Sequence, residues 1–215
     1  MTILRISLHH KEMKSIFFSL ILAIYGICAF NAPLAQAGVF NLPEFVEYKS
    51  WALGLEPLIT MTNGSGVGAN VKFTYGISPL SNLQLGMGSG SGSKQFRLGG
   101  AYTLDFIPDL DGQIGAGIAF QGYTYHMKTT GGSMTEITAI PYIHNNFTTS
   151  NDANFDPYIS LPVGMAFNDG TYRTIMQIVF GVFFKTTEHV FYNMELGLNM
   201  KDTDTYIATG ITYRN

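Results

Sequence analysis

The amino-acid sequence predicts an all-β fold of about ten antiparallel strands, within a range of eight to twelve. Three observations support this prediction: apolar residues alternate with Gly or polar residues, turn-forming residues separate the alternating stretches, and charge is scarce. Hydrophobic residues make up 46% of the 215 residues and charged residues only 13%, about half of the roughly 25% that is usual in soluble domains. The aromatic content of 13% excludes a disordered chain, and the net charge of −3 provides no basic surface for nucleic acid.

The first 37 residues are typical of a cleaved secretory signal. Lys14 precedes an apolar stretch over residues 16–30, and Ala35 and Ala37 occupy the small-residue positions of a cleavage site. This stretch is shorter than the roughly 20 residues that a transmembrane helix needs. Residues 1–12 add nothing that a signal requires, so we expect translation to begin at Met13. We expect the signal to end at Ala37. The only cysteine, Cys28, lies inside the signal, so no disulfide or thiol chemistry is expected after cleavage.

Alternation with a period of two is clearest between Val67 and Ile77, where every odd residue is apolar and every even one is Gly or polar. This is the period of a strand whose two faces differ. A strand of about 9–11 residues crosses a bilayer when it is tilted by about 45°, and this stretch is that long. The pattern recurs in nine further stretches, at residues 51–61, 83–88, 95–106, 114–121, 135–144, 159–168, 173–185, 192–199 and 207–213.

Short segments rich in turn-forming residues separate these stretches, at residues 63–64, 78–79, 89–93, 108–112, 131–132, 168–170 and 202–204. Short connections join antiparallel neighbours. Composition does not change between residues 50 and 215, which predicts one domain there, preceded by a lead-in over residues 38–49. Because proline removes a ladder hydrogen bond, we expect bulges or early strand ends at Pro57, Pro141 and Pro162.

The face opposite the large apolar side chains carries few charges and many Gly, Ala, Ser and Thr residues. Small residues suit a confined interior better than a water-exposed sheet surface. Together with the signal, the pattern resembles small bacterial outer-membrane β-barrels of the porin-like and OmpA-type superfamily. The segment 206–213, with Gly210 among alternating apolar and aromatic residues, is similar to the last strand that serves such proteins as an assembly signal. Arg214 and Asn215 stand where that pattern usually ends on an aromatic residue.

The resemblance implies a closed, up-and-down transmembrane barrel in the outer membrane, with its large apolar residues facing lipid. Outer-membrane lipids and the barrel-assembly machinery are the implied partners. An even strand number returns both termini to the periplasmic side, and on this count the long connection 145–156 also lies there. The alternative fold is a soluble secreted β-protein, since its strands also alternate.

Charged residues on the predicted inward face are the candidate site. Because a charge inside a narrow barrel needs a partner, we predict that they form a lumenal ion-pair network. The same charges could instead line a constriction that passes small ions or solutes. A barrel of about ten strands is close to the size that side chains can fill, whereas inward glycines at 99, 115, 117, 181 and 197 would leave space. The predicted network consists of Glu56, Lys72, Arg97, Asp105, Glu136, Arg173, Lys185 and Glu195.

These observations predict either a narrow channel or a largely closed structural barrel. The alternative function is that of a barrel hydrolase, a protease or lipid-modifying enzyme with a rim histidine beside a serine or carboxylate. Its candidates are His126, which has Ser133 across a turn but falls on the lipid-facing side, His144 and His189. We predict no cofactor and no metal, because the Asp and Asn residues in 151–156 and 202–204 lack the spacing of a calcium-binding loop.

Overall fold

The structure is a computed structural model that describes residues 46–61, 66–91, 94–109, 113–127, 131–148 and 154–215. The predicted signal, with Met13 and Cys28, lies outside the described residues, as does the lead-in before Val46. No helix in these ranges is long and apolar enough to cross a membrane.

Twelve strand segments are present in the described ranges. They are β1 Trp51–Thr60, β2 Gly66–Ser78, β3 Ser81–Gly90, β4 Lys94–Ile107, β5 Gly115–Met127, β6 Ser133–His144, β7 Phe147–Thr148, β8 Asn154–Ser160, β9 Val163–Asn168, β10 Thr171–Lys185, β11 Val190–Lys201 and β12 Tyr206–Arg214.

The sheet is a closed barrel with ten strand positions. Its paired strands are all antiparallel, and β12 pairs with β1 to complete the circle. Segments β8 and β9 share one position, because each pairs with β6 on one side and with β10 on the other. The short β7 adds to the edge of β8 and lies outside the circle. The predicted closed antiparallel barrel of about ten strands is therefore confirmed.

Of the three prolines expected to disturb strands, only Pro162 does so. It lies with Leu161 in the break between β8 and β9. The expectation is wrong for Pro57 and Pro141, since the β1–β2 and β5–β6 ladders run through them without a change of register. Each proline is tolerated because the neighbouring strand on its second side does not pair with it. The β1–β12 ladder skips Pro57, and β6 changes partner from β9 to β8 at Pro141.

The burial pattern is the reverse of that in a soluble protein. Each of the ten strand positions exposes a large apolar side chain, with 36% to 58% of its surface accessible. Inward residues of the same strands include Glu56 and Arg97, both fully buried. The outward apolar ring, named here the apolar belt, consists of Leu55, Phe73, Leu85, Leu98, Phe120, Ile137, Met165, Phe180, Leu196 and Ile207.

The two ends of the barrel differ, and the end that holds Trp51 and Arg214 is called here the terminal end. On its outer surface the Trp51 ring lies 6.4 Å from the ring of Phe73 and 5.7 Å from that of Tyr213. Amphipathic aromatic rings of this kind are typical of the membrane–water boundary. The end of β6 and the start of β8 also lie at the terminal end, which is the side that the strand count predicted for the connection between them.

The last residues of the lead-in fold against the inner side of the terminal end. Val46 is only 2% exposed, and the backbone N–H of Lys49 donates to the carbonyl of Gly76 at 2.9 Å. The N–H of Gly76 in turn donates to the carbonyl of Ser50 at 3.0 Å. A Cβ atom on Gly76 would lie 2.7 Å from the carbonyl carbon of Glu47, so this close approach requires glycine.

Candidate functional site: the barrel interior

Buried tyrosine rings fill the middle of the lumen and lie over inward glycines of neighbouring strands. Tyr123 on β5 covers Gly99, where a Cβ atom would lie 2.6 Å from its ring carbons, and it reaches Gly86 on β3. Tyr206 covers Gly197 in the same way, because a Cβ atom there would overlap its ring carbons. These inward glycines therefore provide room for aromatic rings. Two further pairs are Tyr142 over Gly117 and Tyr158 over Gly181.

A central cluster of polar side chains lies beside these rings. Lys72 on β2 forms an ion pair with Glu56 on β1, and Asn193 Nδ2 donates to Glu56 Oε1 at 3.5 Å. The guanidinium carbon of Arg97 lies 4.9 Å from the centre of the Tyr123 ring. These charged groups are at most 1% exposed, so partner charges and a ring face replace the water that they lose.

Glu195 on β11 links three strand positions of the wall. Its carboxylate accepts hydrogen bonds from the hydroxyls of Tyr158 on β8 and Tyr206 on β12. The two rings belong to an apolar cluster with Leu58, Val179, Phe183 and Ala208. This arrangement packs a carboxylate and two tyrosine rings, each at most 3% exposed, into the lumen.

A second ionic group, the far-end cluster, lies near the opposite end of the barrel. Lys94 Nζ is 3.0 Å from Glu136 Oε1 and 3.4 Å from Asp204 Oδ2. It also lies 4.6 Å from the centre of the buried Tyr125 ring. The side chain of Gln177 donates to the backbone carbonyl of Asp204, which holds the β11–β12 connection against the interior.

Two members of the far-end cluster, Lys94 and Asp204, are not predicted by the alternation pattern. Lys94 is three residues from the inward-facing Arg97, so strict alternation predicts an outward-facing side chain. The register of β4 against β5 shifts between Lys94 and Phe96, and this shift turns Lys94 inward. Asp204 was interpreted as an ordinary turn residue, whereas it is 92% buried at the inner end of its connection. Neither a bulge nor an inward-folded turn has a signal in the alternation pattern.

Six of the eight predicted network residues are buried in the barrel, and they divide among separate groups. Glu56, Lys72 and Arg97 lie in the central cluster, and Glu136 lies in the far-end cluster. Arg173 and Lys185 have the inward parity but are exposed, because they lie near the two ends of the long strand β10. Asp105 and Glu195 complete the buried set.

A cavity of about 310 Å³ lies at the terminal end. On one side, His144 lies between two carboxylates: its Nε2 is 3.5 Å from Asp105 Oδ2, and its Nδ1 is 3.4 Å from Asp156 Oδ1. His144 lies over Gly115, just as Tyr142 lies over Gly117. Asp105 is 3% exposed, and its second oxygen, Oδ1, is buried without a hydrogen bond from the described residues.

The other side of this cavity is basic and aromatic. Arg214 from the end of β12 lines it together with Phe183. The guanidinium carbon of Arg214 lies 3.8 Å from the ring centre of Phe191 and 5.8 Å from that of Phe183. An adjoining cavity of about 230 Å³ shares Arg214 and Asp156 with the first and adds Lys185 and Glu47 to the lining.

The histidines predicted as hydrolase candidates have surroundings of different kinds. His126 is paired with Ser133 across the β5–β6 ladder, but both side chains are exposed on the outer face. Both ring nitrogens of His144 face carboxylates, so it is poorly placed to accept a proton from a nucleophile. His189 is exposed, and its Nδ1 contacts the backbone carbonyl of Arg214. No group of three or more metal-ligating side chains occurs in the described ranges.

Comparisons with known proteins show similarity at the level of structure only. No protein-family model matches the chain, and no curated protein matches it. An outer membrane channel from Pseudomonas putida is similar over 80% of this chain and 97% of its own, with 7% identity and a TM-score of 0.49. The N-terminal β-barrel domain of Pseudomonas aeruginosa OprF matches 78% of this chain and 98% of its own, with 9% identity and a TM-score of 0.39. The β domain of the Bordetella autotransporter BrkA matches 76% and 98%, with 10% identity and a TM-score of 0.46.

Proposed function

We propose that this protein is an outer-membrane β-barrel whose lumen is closed by its own side chains, so that it serves as a membrane-embedded structural barrel and not as an open channel. The observation that carries the proposal is the set of buried charged and aromatic groups in the lumen. The far-end cluster, the central cluster and the Glu195–tyrosine group all lie inside the barrel, and their described charged side chains are almost fully buried.

The apolar belt supports placement in a membrane. It runs around all ten strand positions, whereas a soluble monomer rarely exposes a continuous apolar surface larger than a few hundred Å². The buried face is polar, and lipid provides no hydrogen bonds to an exposed polar face. This pairing of an apolar outside with a polar inside favours the outer-membrane barrel over the soluble secreted β-protein.

The packing of the lumen supports closure. Barrels of about eight strands have interiors that side chains can fill, and water-filled porins use sixteen or more strands. Here the charged side chains of Lys72, Lys94 and Arg97 are at most 4% exposed. An ion that crossed the barrel would have to displace these groups from their partners, at the cost of leaving buried charges without compensation.

Conductance across a planar lipid bilayer tests the proposal. The refolded wild-type barrel is expected to produce no discrete conductance steps. The double variant Arg97→Ala/Tyr123→Ala removes the stacked pair at the centre of the lumen and is expected to produce small steps. Thr124→Ala, which changes an exposed residue of the same strand, is the matched control and is expected to stay silent.

Folding of each sample is checked by heat-modifiable migration on a denaturing gel, since a folded barrel and its boiled form migrate differently. Discrete steps in the wild-type protein would show a channel and overturn the closed-barrel proposal. Recovery of the exported protein in the soluble periplasmic fraction would overturn the membrane placement itself.

A further inference from the structure

We propose that a short piece of sheet beyond the barrel wall, named here the rim segment, lies against the lipid surface at the terminal end. The rim segment consists of β7, Phe147–Thr148, and of the two residues of β8 that pair with it, Asn154 and Phe155. The proposal rests on the membrane placement proposed above. It assigns a lipid-binding surface to a part of the chain outside the circle of strands.

The register of β7 fixes the direction of its side chains. Ile143 near the end of β6 lies opposite Ile159 on β8, and both are exposed on the outer face of the wall. Phe147 lies opposite Phe155, four residues further along each strand in the same register. Side chains four residues apart share a face of a strand. Phe147 and Phe155 therefore continue the outward apolar face beyond the end of the β5–β6 ladder at His144.

Aromatic rings form a row across this part of the outer surface. The ring centres of Phe147 and Phe155 are 5.4 Å apart, with 22° between the ring planes. Phe155 lies opposite Phe184 on β10, and Phe184 lies opposite Tyr192 on β11. Phe155 is half-buried and also borders the smaller cavity. The other three side chains of the row are 38% to 47% exposed, so an apolar environment would stabilise them.

The aromatic row is continuous with the apolar belt. Tyr192 lies opposite Ile211 on β12, and Ile211 lies opposite Leu55 of the belt. Tyr192 is also four residues from Leu196, the belt member of its own strand. At a rise of about 3.3 Å per residue and a tilt of about 45°, four residues correspond to about 9 Å along the membrane normal. Aromatic side chains at this distance from the belt are typical of the membrane–water boundary.

The opposite face of the rim segment is polar. Thr148 lies opposite Asn154, and its hydroxyl donates to Asn154 Oδ1 at 3.2 Å. Asn154 in turn lies opposite Lys185, and both residues line the smaller cavity at the terminal end. The rim segment therefore keeps the apolar outside and polar inside of the wall, although it lies beyond the wall. A lipid surface fits this arrangement, because it covers the apolar face and leaves the polar face in water.

The test places a tryptophan probe on each face of the rim segment. In a background in which Trp51→Phe removes the only tryptophan, Phe147→Trp puts the probe on the apolar face. Thr148→Trp, the matched control, puts it on the polar face one residue away. Each refolded variant is reconstituted into phosphatidylcholine vesicles whose acyl chains are brominated near the headgroup, and acrylamide is the quencher in water. We expect a higher ratio of bromine quenching to acrylamide quenching at position 147 than at position 148.

Phe180→Trp in the same background is the reference for a belt position, and heat-modifiable migration confirms that every variant is folded. With bromine quenching present at position 180, an equal or lower ratio at position 147 than at position 148 would overturn the inference. A probe at position 147 that is protected from both quenchers would also overturn it, because protein would then cover the rim segment. Absence of bromine quenching at position 180 would overturn the membrane placement itself, and this inference with it. Only that last result bears on the proposed function.

Discussion

Replacement of Lys94 by methionine removes the cation that joins Glu136 and Asp204 in the far-end cluster and keeps the apolar stem of the side chain. Its Nζ lies 3.0 Å from Glu136 and 3.4 Å from Asp204. With an effective dielectric constant of about 20, Coulomb's law gives roughly 5 kcal/mol of attraction for each contact before desolvation is subtracted. Removal of one partner from a buried ion pair generally costs about 3–5 kcal/mol, and we expect Lys94→Met to lower the free energy of unfolding by this amount.

The measurement is urea-induced unfolding in detergent micelles, followed by the fluorescence of Trp51, the only tryptophan in the sequence. Lys201→Met is the control, because Lys201 is an exposed lysine at the end of β11, and its effect should stay within about 0.5 kcal/mol. The double variant Lys94→Met/Glu136→Gln also removes the charge of Glu136, which loses its ion pair in Lys94→Met. It should therefore be more stable than Lys94→Met alone.

Two results would refute this reasoning. A free energy of unfolding for Lys94→Met within about 1 kcal/mol of the wild type would mean that the cluster contributes little to stability. A double variant that is less stable than Lys94→Met would mean that the loss comes from packing and not from uncompensated charge.

Two further predictions concern close approaches at glycine. Gly197→Val should lower the free energy of unfolding by about 1–3 kcal/mol, because its side chain would overlap the Tyr206 ring. Gly122→Val is the control in the same urea titration, and it should have the smaller effect because no atom lies within 4 Å of the Gly122 Cβ position. Gly76→Val should displace the lead-in from the inner wall and expose the peptide bond after Lys49 to trypsin. Gel analysis with N-terminal sequencing would detect this cleavage. Equal cleavage of the wild type would contradict the prediction.

The alternation pattern was sufficient to predict the wall of the barrel, because one face of each strand meets lipid and the other meets the interior. Residues such as Leu98 and Arg97 therefore differ in type as well as in direction, and the structure places them outside and inside as expected. The strand positions were also predictable, since the turn segments separate stretches that each correspond to one position.

The contacts inside the lumen were less predictable, because they depend on register between strands. Lys94 faces inward only through a bulge in β4, and Asp204 reaches it from a connection about 110 residues further along the chain. The tyrosines illustrate the same limit. The parity of Tyr123 places it inside, but only the pairing of β3, β4 and β5 shows that its ring lies over Gly86 and Gly99.

The rings that lie over glycines also bear on how the barrel assembles. Tyr123 spans from β5 to β3, and the hydroxyls of Tyr158 on β8 and Tyr206 on β12 converge on Glu195 on β11. Tyr206 and Glu195 are only 11 residues apart and belong to neighbouring strands, so they meet when β11 and β12 pair. Tyr158 joins them from 37 residues away. Packing of the interior around Glu195 therefore depends on β8 and β10 taking their places beside the last two strands.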